Sequence, residues 1–317
     1  MPFDIISMGP LLIELIRQEK GRTFEQPGTF CGPYASGDTP IFINAAAKMG
    51  ARCGFIGSVG DDGFGRCVYD KMKRSGVDMS KILVVKGAYT GSTFVYYNED
   101  ETRKFMYHLE GSGSAVMYED DADFTEYFKD CKWVHYTGFT MESSQRAKDV
   151  VFKTMEMLGK DTKISFDPNL RGKEDVAALC APVVGRADLI LPSMGEAGEY
   201  FGTDDDTGCR KWMDMGKMVV QKRGSKGSRL YYNGEIKDVP SFKATEVDAT
   251  GAGDTFAATF LSGLIEGKAP EEAALYANVA GCFAVSAMGP MEGAVEKKTV
   301  QAFLDSGKRE VVWSEWV

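Results

Sequence analysis

Short apolar runs alternate with segments of helical composition along most of the chain. The runs end in glycine or in polar residues, and they lie at 3–9, 51–60, 132–138, 163–169, 187–193 and 217–224. Between them, 41–50, 143–158 and 196–201 have helical composition. This alternation predicts a mostly parallel sheet with helices on both faces. Ligands of such sheets bind beyond the carboxyl ends of the strands, where these loops lie.

Two segments depart from this alternation of apolar runs and helical segments. Residues 91–109 alternate with period two around a polar turn, which predicts a β-hairpin with Phe94 and Tyr96 on one face of its first strand. Residues 11–35 are also strand-like and rich in loops. Together they predict a small β-sheet set apart from the main sheet. An edge hairpin and a lid over a substrate cleft fit this pattern equally well.

Composition narrows the class of protein. With 317 residues, 44% of them hydrophobic, and a net charge of −9, the chain reads as an acidic globular protein. That charge disfavours nucleic acid and anionic membrane as partners. No apolar run approaches about 18 residues, so no membrane span is expected, and the N-terminus lacks the basic leader of a signal peptide.

Cysteine and histidine usage excludes further classes. The seven cysteines are scattered and form no CxxC, which indicates free thiols in a reducing cytoplasm. His108 and His135 are the two histidines. A zinc site or a Ser-His-Asp triad is therefore poorly supported.

The strongest chemical signal is "DATGAGDTF" at 248–256. Gly251, Ala252 and Gly253 precede Asp254, and apolar residues at helical spacing follow. Backbone N–H groups at such a turn lack partners and, with the helix dipole, form an anion site. Asp254 then has two possible roles. It caps the helix, which is worth about 1 kcal/mol, or it accepts a proton from a hydroxyl that attacks a bound phosphoryl group.

This stretch resembles D-x-T-G-A-G-D-x-F, the C-terminal signature of the PfkB (ribokinase-like) sugar kinases. Other segments agree in order: "GSVGDDGFG" (57–65) resembles a glycine-rich loop of the family, and "KRGSKGS" (222–228) its nucleotide loop. "DPNLR" (167–171) resembles a segment of the fructokinase and 2-keto-3-deoxygluconate kinase branches. The resemblance covers nearly the whole chain.

The resemblance implies an α/β, ribokinase-like three-layer sandwich with a mostly parallel central sheet. We expect a single domain over 1–317, with a β-lid built from about 11–37 and 88–112. It implies an ATP-dependent sugar kinase, a phosphotransferase with an alcohol group as acceptor. A small sugar would be the partner, and exposed apolar residues of the lid suggest a homodimer through it.

The resemblance also implies catalytic roles. Asp254 would be the base that deprotonates the sugar hydroxyl, and Gly251, Ala252 and Gly253 would form the anion hole. Arg171 would clamp substrate or phosphate. The alternative for Arg171 is an ordinary structural ion pair.

Nucleotide and metal roles follow in the same way. Lys222, Gly224 and Gly227 would line the ATP site, and Asn278 would contact adenine. Glu196 would organise Mg²⁺ through water. The alternative for Lys222 is a surface lysine after a strand. The alternative for Asn278 is a polar helix residue, and that for Glu196 is an ordinary acid in the first turn of a helix.

A bound monovalent cation, with K⁺ as the candidate, is implied at Asp248 and Thr250. For the sugar, the expected contacts come from six residues, two of which also have catalytic roles. They are Glu14, Gly37, Asp38, Phe94, Arg171 and Asp254.

The sequence departs from the family pattern where the substrate is chosen. Ile41 stands where the family has a sugar-binding asparagine, Ser193 replaces the asparagine of N-x-x-E, and Glu14 stands where many relatives have aspartate. A fructose-like ketose fits at least as well as an acid sugar. 2-Keto-3-deoxygluconate kinase, ribokinase and nucleoside kinase stay open.

Two other readings stay open. One is a sugar- or purine-binding relative without kinase activity, which the Ile41 and Ser193 positions motivate. The other is a nicotinamide dehydrogenase, because 57–65 has glycines after a strand. Its G-x-x-G-x-x-G spacing departs from the dinucleotide fingerprint.

Overall fold

The computed structural model describes residues 2–100, 102–118, 122–170 and 175–317. The strands, in chain order, are β1 Ile5–Met8, β2 Leu12–Arg17, β3 Phe30–Ser36, β4 Cys53–Gly60, β5 Asp78–Val85, β6 Gly91–Tyr97, β7 Arg103–His108, β8 Trp133–Thr137, β9 Lys163–Asp167, β10 Leu189–Ile190, β11 Met218–Lys222, β12 Ser228–Tyr232, β13 Glu235–Val239, β14 Lys243–Ala244 and β15 Glu310–Val311.

The α-helices alternate with these strands over much of the chain. In chain order they are α1 Asp38–Lys48, α2 Gly63–Arg74, α3 Thr125–Phe128, α4 Gly138–Ser143, α5 Gln145–Glu156, α6 Val176–Arg186, α7 Glu196–Phe201, α8 Asp205–Asp214, α9 Ala252–Ile265, α10 Pro270–Val285 and α11 Lys297–Asp305.

The large sheet has the strand order β13-β12-β11-β10-β9-β8-β1-β4-β5. From β11 to β5 the neighbours pair in parallel, and β12 and β13 add an antiparallel edge. Its central strands are apolar and buried, as expected for a parallel sheet covered on both faces. The predicted mostly parallel sheet is confirmed.

Neighbouring residues of a strand point to opposite faces of the sheet. Because both faces of the central strands are apolar, helices cover both. Ile5 packs in a core cluster with Phe42 of α1 and Phe260 of α9. Ile6 packs in a second cluster with Val151 of α5 and other residues on the opposite face. The result is the expected three-layer α/β sandwich.

The small sheet has the order β3-β2-β6-β7 and stands apart from the large one. β2 and β6 pair in parallel, and the other pairs are antiparallel. On β6, Thr93, Val95 and Tyr97 are buried, whereas Phe94 and Tyr96 are half-buried on the other face. The predicted separate sheet is confirmed, and its action as a lid stays a prediction.

Two further properties concern the cysteines and the helices of the described residues. The cysteines are free. Over the residues that the structure describes, none of the helices combines the length and the apolar character needed to cross a membrane.

Candidate active site

The turn at 248–254 ends the segment after β14 and starts α9. Gly251 is the N-cap with φ 79°, and a Cβ there would lie 2.4 Å from a backbone carbonyl oxygen, so the position requires glycine. The helix begins at Ala252 and places Asp254 in its first turn, half-buried. The residues that follow are buried, which anchors the turn rigidly to the core.

Two cavities meet at this turn. The sheet-side cavity, of about 210 Å³, lies between the small sheet and the start of α9. The loop-side cavity, of about 450 Å³, lies between the 222–227 loop and α9 and α10. The two share part of their lining, namely Ser193, Lys222, Ala249 and Gly253. A group bound in one cavity therefore faces a group bound in the other across Gly253.

Lys222 stands at this junction, at the end of β11. Its ammonium forms an ion pair with Asp167. Asp167 is the last residue of β9 and is almost fully buried. Burial alone would lower the pKa of Lys222, but three nearby carboxylates outweigh it and raise the pKa, so the lysine stays charged. The carboxylates belong to Asp167, Glu196 and Asp254.

Glu196 is the first residue of α7 and lies near enough to Lys222 for its charge to act on that lysine. Its carboxylate accepts hydrogen bonds from the backbone N–H groups of Leu170 (2.9 Å) and Ser193 (2.7 Å). Burial raises the pKa of Glu196 to about 7, and the negative charge of Asp167 adds to the rise.

The sheet-side cavity contains several polar groups from distant parts of the chain. Asp38 Oδ2 accepts a hydrogen bond from Asn169 Nδ2 at 3.0 Å. Glu14 is buried, and its Oε2 accepts a hydrogen bond from Ser36 Oγ at 3.2 Å. Burial and then the charge of Asp248 raise the pKa of Glu14 to about 8. A carboxyl with that pKa is mostly protonated at neutral pH.

Phe94, one of the expected sugar contacts, does not line the sheet-side cavity. Thr93 lines the sheet-side cavity, and its buried hydroxyl has no hydrogen-bond partner among the residues that the structure describes. Phe94 lies on the opposite face of β6, where its ring contacts Phe30 and His108 at centroid distances of 5.6 and 5.4 Å. The period-two alternation of β6 separates the two side chains. The aromatic residue therefore packs on the outer face, and its neighbour faces the cavity.

The expected cation residues are already bound by donors. Asp248 is buried, and its carboxylate accepts hydrogen bonds from the Tyr97 hydroxyl and from the backbone N–H groups of Thr250 (2.9 Å) and Gly289 (3.0 Å). The Thr250 hydroxyl accepts a hydrogen bond from the Arg103 guanidinium at 2.9 Å. Both side chains therefore already accept hydrogen bonds from neighbouring donors, and the monovalent cation expected beside them stays a prediction.

The loop-side cavity contains the expected nucleotide residues. Lys222, Gly224, Gly227 and Asn278 all line it, as does Ala252. Gly224 and Gly227 have φ values of 56° and 85°, which glycine adopts without strain. Asn278 Nδ2 donates to backbone carbonyl oxygens of the 239–240 segment at 3.1 and 3.3 Å.

Of the remaining expected residues, some line the sheet-side cavity and one lies outside the described part of the chain. Gly37 (φ 108°) caps α1 and lines the sheet-side cavity with Asp38 and Asp254. Arg171 lies outside the described residues. Among the residues that are described, no group of three or more His, Cys, Asp or Glu side chains is placed to hold a metal.

Sequence reasoning missed four residues at this site. Asp167 begins the quoted "DPNLR" segment and could have been found from its place at a strand end. Arg103 carried a weak signal as a cation in the hairpin. Thr93 and Tyr97 carried none, because a threonine and a tyrosine in a strand are ordinary.

The sequence and the fold are similar to those of known proteins. The sequence model of the pfkB family carbohydrate kinases matches residues 5–298. Fructokinase-1 of Oryza sativa subsp. japonica is 26% identical, and the match covers 95% of this chain and 98% of that protein. A 2-dehydro-3-deoxygluconokinase of Thermoproteus tenax is 28% identical over 86% of this chain and 85% of its own.

Solved structures are also similar. A protein from E. coli described as a ribokinase II is 30% identical, with a TM-score of 0.90 over 96% of this chain and 99% of that chain. The same protein solved in complex with ATP and Mg²⁺ has a TM-score of 0.89 and the same coverage.

Proposed function

Because this chain belongs to the pfkB family of carbohydrate kinases, we propose that it transfers the γ-phosphoryl group of ATP to a hydroxyl of a neutral, fructose-like ketose. The observation that carries the proposal is the meeting of the two cavities across Gly253, with Asp254 and Lys222 beside it. Phosphoryl transfer needs the attacking and leaving oxygens roughly in line, and two cavities on either side of one anion-binding turn suit that arrangement.

In this assignment the sugar occupies the sheet-side cavity. Asp254 accepts the proton of the attacking hydroxyl, the new bond forms between that oxygen and the γ-phosphorus, and the bond to the β–γ bridging oxygen breaks. ADP leaves with the electron pair. The N–H groups of the 251–253 turn hold the transferring oxygens, where they act without reorganisation. The Lys222 ammonium offsets the charge of the phosphoryl group from the shared wall.

ATP occupies the loop-side cavity. Lys222 stands at its inner end and Asn278 at its α10 wall, and Gly224 and Gly227 let phosphates approach the backbone. Mg²⁺ keeps several waters and prefers phosphate oxygens, which fits a site with few carboxylates; Glu196 would hold it through water. Bound there, the ion neutralises charge on the phosphates. A monovalent cation beside Asp248 and Thr250, with K⁺ as the candidate, would share these side chains with the donors of Tyr97 and Arg103.

The charges of the sheet-side cavity support a neutral substrate. Asp38 and Asp254 contribute carboxylates, and the cationic Arg103 is already engaged by Thr250. With the Lys222 ammonium in the same lining and Glu14 mostly protonated, the charges balance, so a sugar carboxylate finds no excess positive charge, whereas hydroxyls find acceptors and donors. Arg103 is the observation that favours the second candidate, a 2-keto-3-deoxygluconate kinase, since a guanidinium pairs well with a carboxylate.

The experiment is an ADP-release assay, with ATP and Mg²⁺, over ketoses, aldoses, 2-keto-3-deoxy acids and nucleosides. We expect the highest kcat/KM with a ketose such as fructose. A preference for the keto-deoxy acid would replace the neutral substrate by the second candidate. ATP and sugar binding without turnover on any acceptor would contradict kinase activity.

Three further expectations also belong to this proposal. The small sheet acts as a lid within a single domain, the chain forms a homodimer through that sheet, and the protein is cytoplasmic. Light scattering at several concentrations tests the dimer, with a constant monomer mass as the contrary result.

A further inference from the structure

The small sheet is bonded directly to the turn that precedes α9. The Tyr97 hydroxyl, at the end of β6, donates to Asp248 Oδ1, and Arg103 Nη1, at the start of β7, donates to Thr250 Oγ1 at 2.9 Å. Tyr97 and Arg103 are cross-strand partners in the β6–β7 register. One pair of neighbours thus holds both ends of the 248–250 turn.

Asp248 links the small sheet to the anion-binding turn. It is fully buried, and besides Tyr97 it binds the backbone N–H groups of Thr250 and Gly289. The chain continues from Thr250 directly into Gly251, which starts the proposed anion hole. A shift of Tyr97 relative to Asp248 therefore moves the N–H groups that would face the phosphoryl group.

The same sheet forms a wall of the sheet-side cavity. Glu14 of β2, Thr93 of β6, and Arg103 and Tyr107 of β7 all line it. The raised pKa of Glu14, which burial and the charge of Asp248 cause, reflects how near this wall lies to the turn. A molecule bound against the wall contacts the element that holds the turn.

We propose that Tyr97 and Arg103 are positioning residues that couple occupation of the sheet-side cavity to the geometry of the anion hole at Gly251–Asp254. The coupling rests on the proposed function, in which that cavity takes the sugar. Sugar contacts hold the small sheet against the turn, and the two hydrogen bonds fix the turn for the incoming γ-phosphoryl group. The γ-phosphate of ATP then binds tightly only when the sugar is bound.

The test measures this coupling as a ratio of affinities. β,γ-Methylene-ATP, which carries a γ-phosphonate, and ADP, which lacks one, are titrated calorimetrically with and without saturating fructose. In the wild type we expect fructose to tighten β,γ-methylene-ATP binding about fivefold or more and ADP binding much less. In Tyr97→Phe this tightening falls below about twofold, and kcat falls roughly tenfold, because one hydrogen bond to a carboxylate is lost. The affinities for fructose alone and ADP alone stay near wild type.

Matched controls separate positioning from stability. Tyr96→Phe removes a hydroxyl one residue away on the opposite face, where the ring contacts Phe24, and is expected to keep the full ratio. Arg103→Gln is expected to lower both the ratio and kcat, and exposed Lys104→Gln neither. Wild-type coupling and kcat in Tyr97→Phe would overturn the proposal. So would an Arg103→Gln variant that raises only the sugar KM, since Arg103 would then act by contact with the substrate alone.

The result is distinguishable from a failure of the proposed function. If the wild type phosphorylates no sugar, the kinase assignment fails. If it is active but Tyr97→Phe loses stability and both nucleotides equally, with the ratio preserved, the coupling fails and the assignment stands.

Discussion

Lys222→Gln removes the cation that the two cavities share. The Lys222 and Asp167 side chains are 10% and 1% exposed, so the substitution leaves Asp167 buried and without its counter-charge. Breaking a buried ion pair from one side costs about 3–5 kcal/mol. At about 2 °C per kcal/mol, the lower end for large domains, the melting temperature falls by about 6–10 °C.

The same substitution removes a donor from the transferring phosphoryl group. Loss of one such donor lowers kcat by about 10²–10³-fold in enzymes that stabilise developing charge. ADP release with the best sugar of the screen measures kcat, and thermal unfolding measures stability. Lys226→Gln, which changes an exposed lysine of the same loop, is the control and should alter neither.

The double variant Lys222→Gln with Asp167→Asn separates the two effects. Replacing both charges leaves a neutral pair, so we expect most of the lost stability to return. We expect kcat to stay low, because no cation faces the phosphoryl group. Recovery of kcat to within a few-fold of wild type would refute the catalytic role and leave Lys222 as a structural ion pair.

Three other changes have definite expected outcomes. Glu14→Gln should flatten the pH dependence of the unfolding free energy, because stability from the buried Glu14 is full below its ordinary pKa of 4.5 and is lost as pH rises to its folded value of about 8, with a slope of about 1.4 kcal/mol per pH unit; an unchanged slope in denaturant titrations from pH 5 to 8 would contradict this. Gly251→Ala should unfold more easily, since its Cβ would meet a carbonyl oxygen at 2.4 Å, whereas Gly253→Ala has room, with its nearest neighbour at 3.5 Å, and should fold normally but lose kcat; equal melting temperatures for the two would refute this contrast. Thr93→Val should raise the sugar KM roughly tenfold, and Phe94→Ala should leave it unchanged in the same assay; the reverse order would mean that the outer face of β6 binds the sugar.

Features that depend on local chemistry were predictable from the sequence. Gly251–Asp254 followed by an apolar helical stripe specifies a turn into a buried helix, because few other arrangements satisfy both small residues and that spacing. The large sheet was predictable for the same reason, since alternation of apolar runs with helices has few topological solutions.

Features that depend on contacts between distant segments were not predictable. Alternation along β6 shows that Thr93 and Phe94 face opposite ways, but the cavity side is set by packing against the rest of the fold. The Lys222–Asp167 pair joins residues 55 positions apart, and Tyr97 binds Asp248 across 151. A single sequence carries no record of such pairings. The donors from Tyr97 and Arg103 that contact Asp248 and Thr250 belong to the small sheet, so the 248–254 segment alone did not predict them.

The central claim is that Asp254 accepts the proton of the attacking hydroxyl, and Asp254→Asn tests it most directly. Asparagine keeps the shape of the side chain and an oxygen that accepts hydrogen bonds but cannot accept the proton. Calorimetry with fructose and with β,γ-methylene-ATP should give near wild-type affinities, while ADP release shows kcat lowered by about 10²–10⁴-fold. A variant that turns over at near wild-type rate would show that Asp254 only stabilises the first turn of α9, and the proposed mechanism would be wrong.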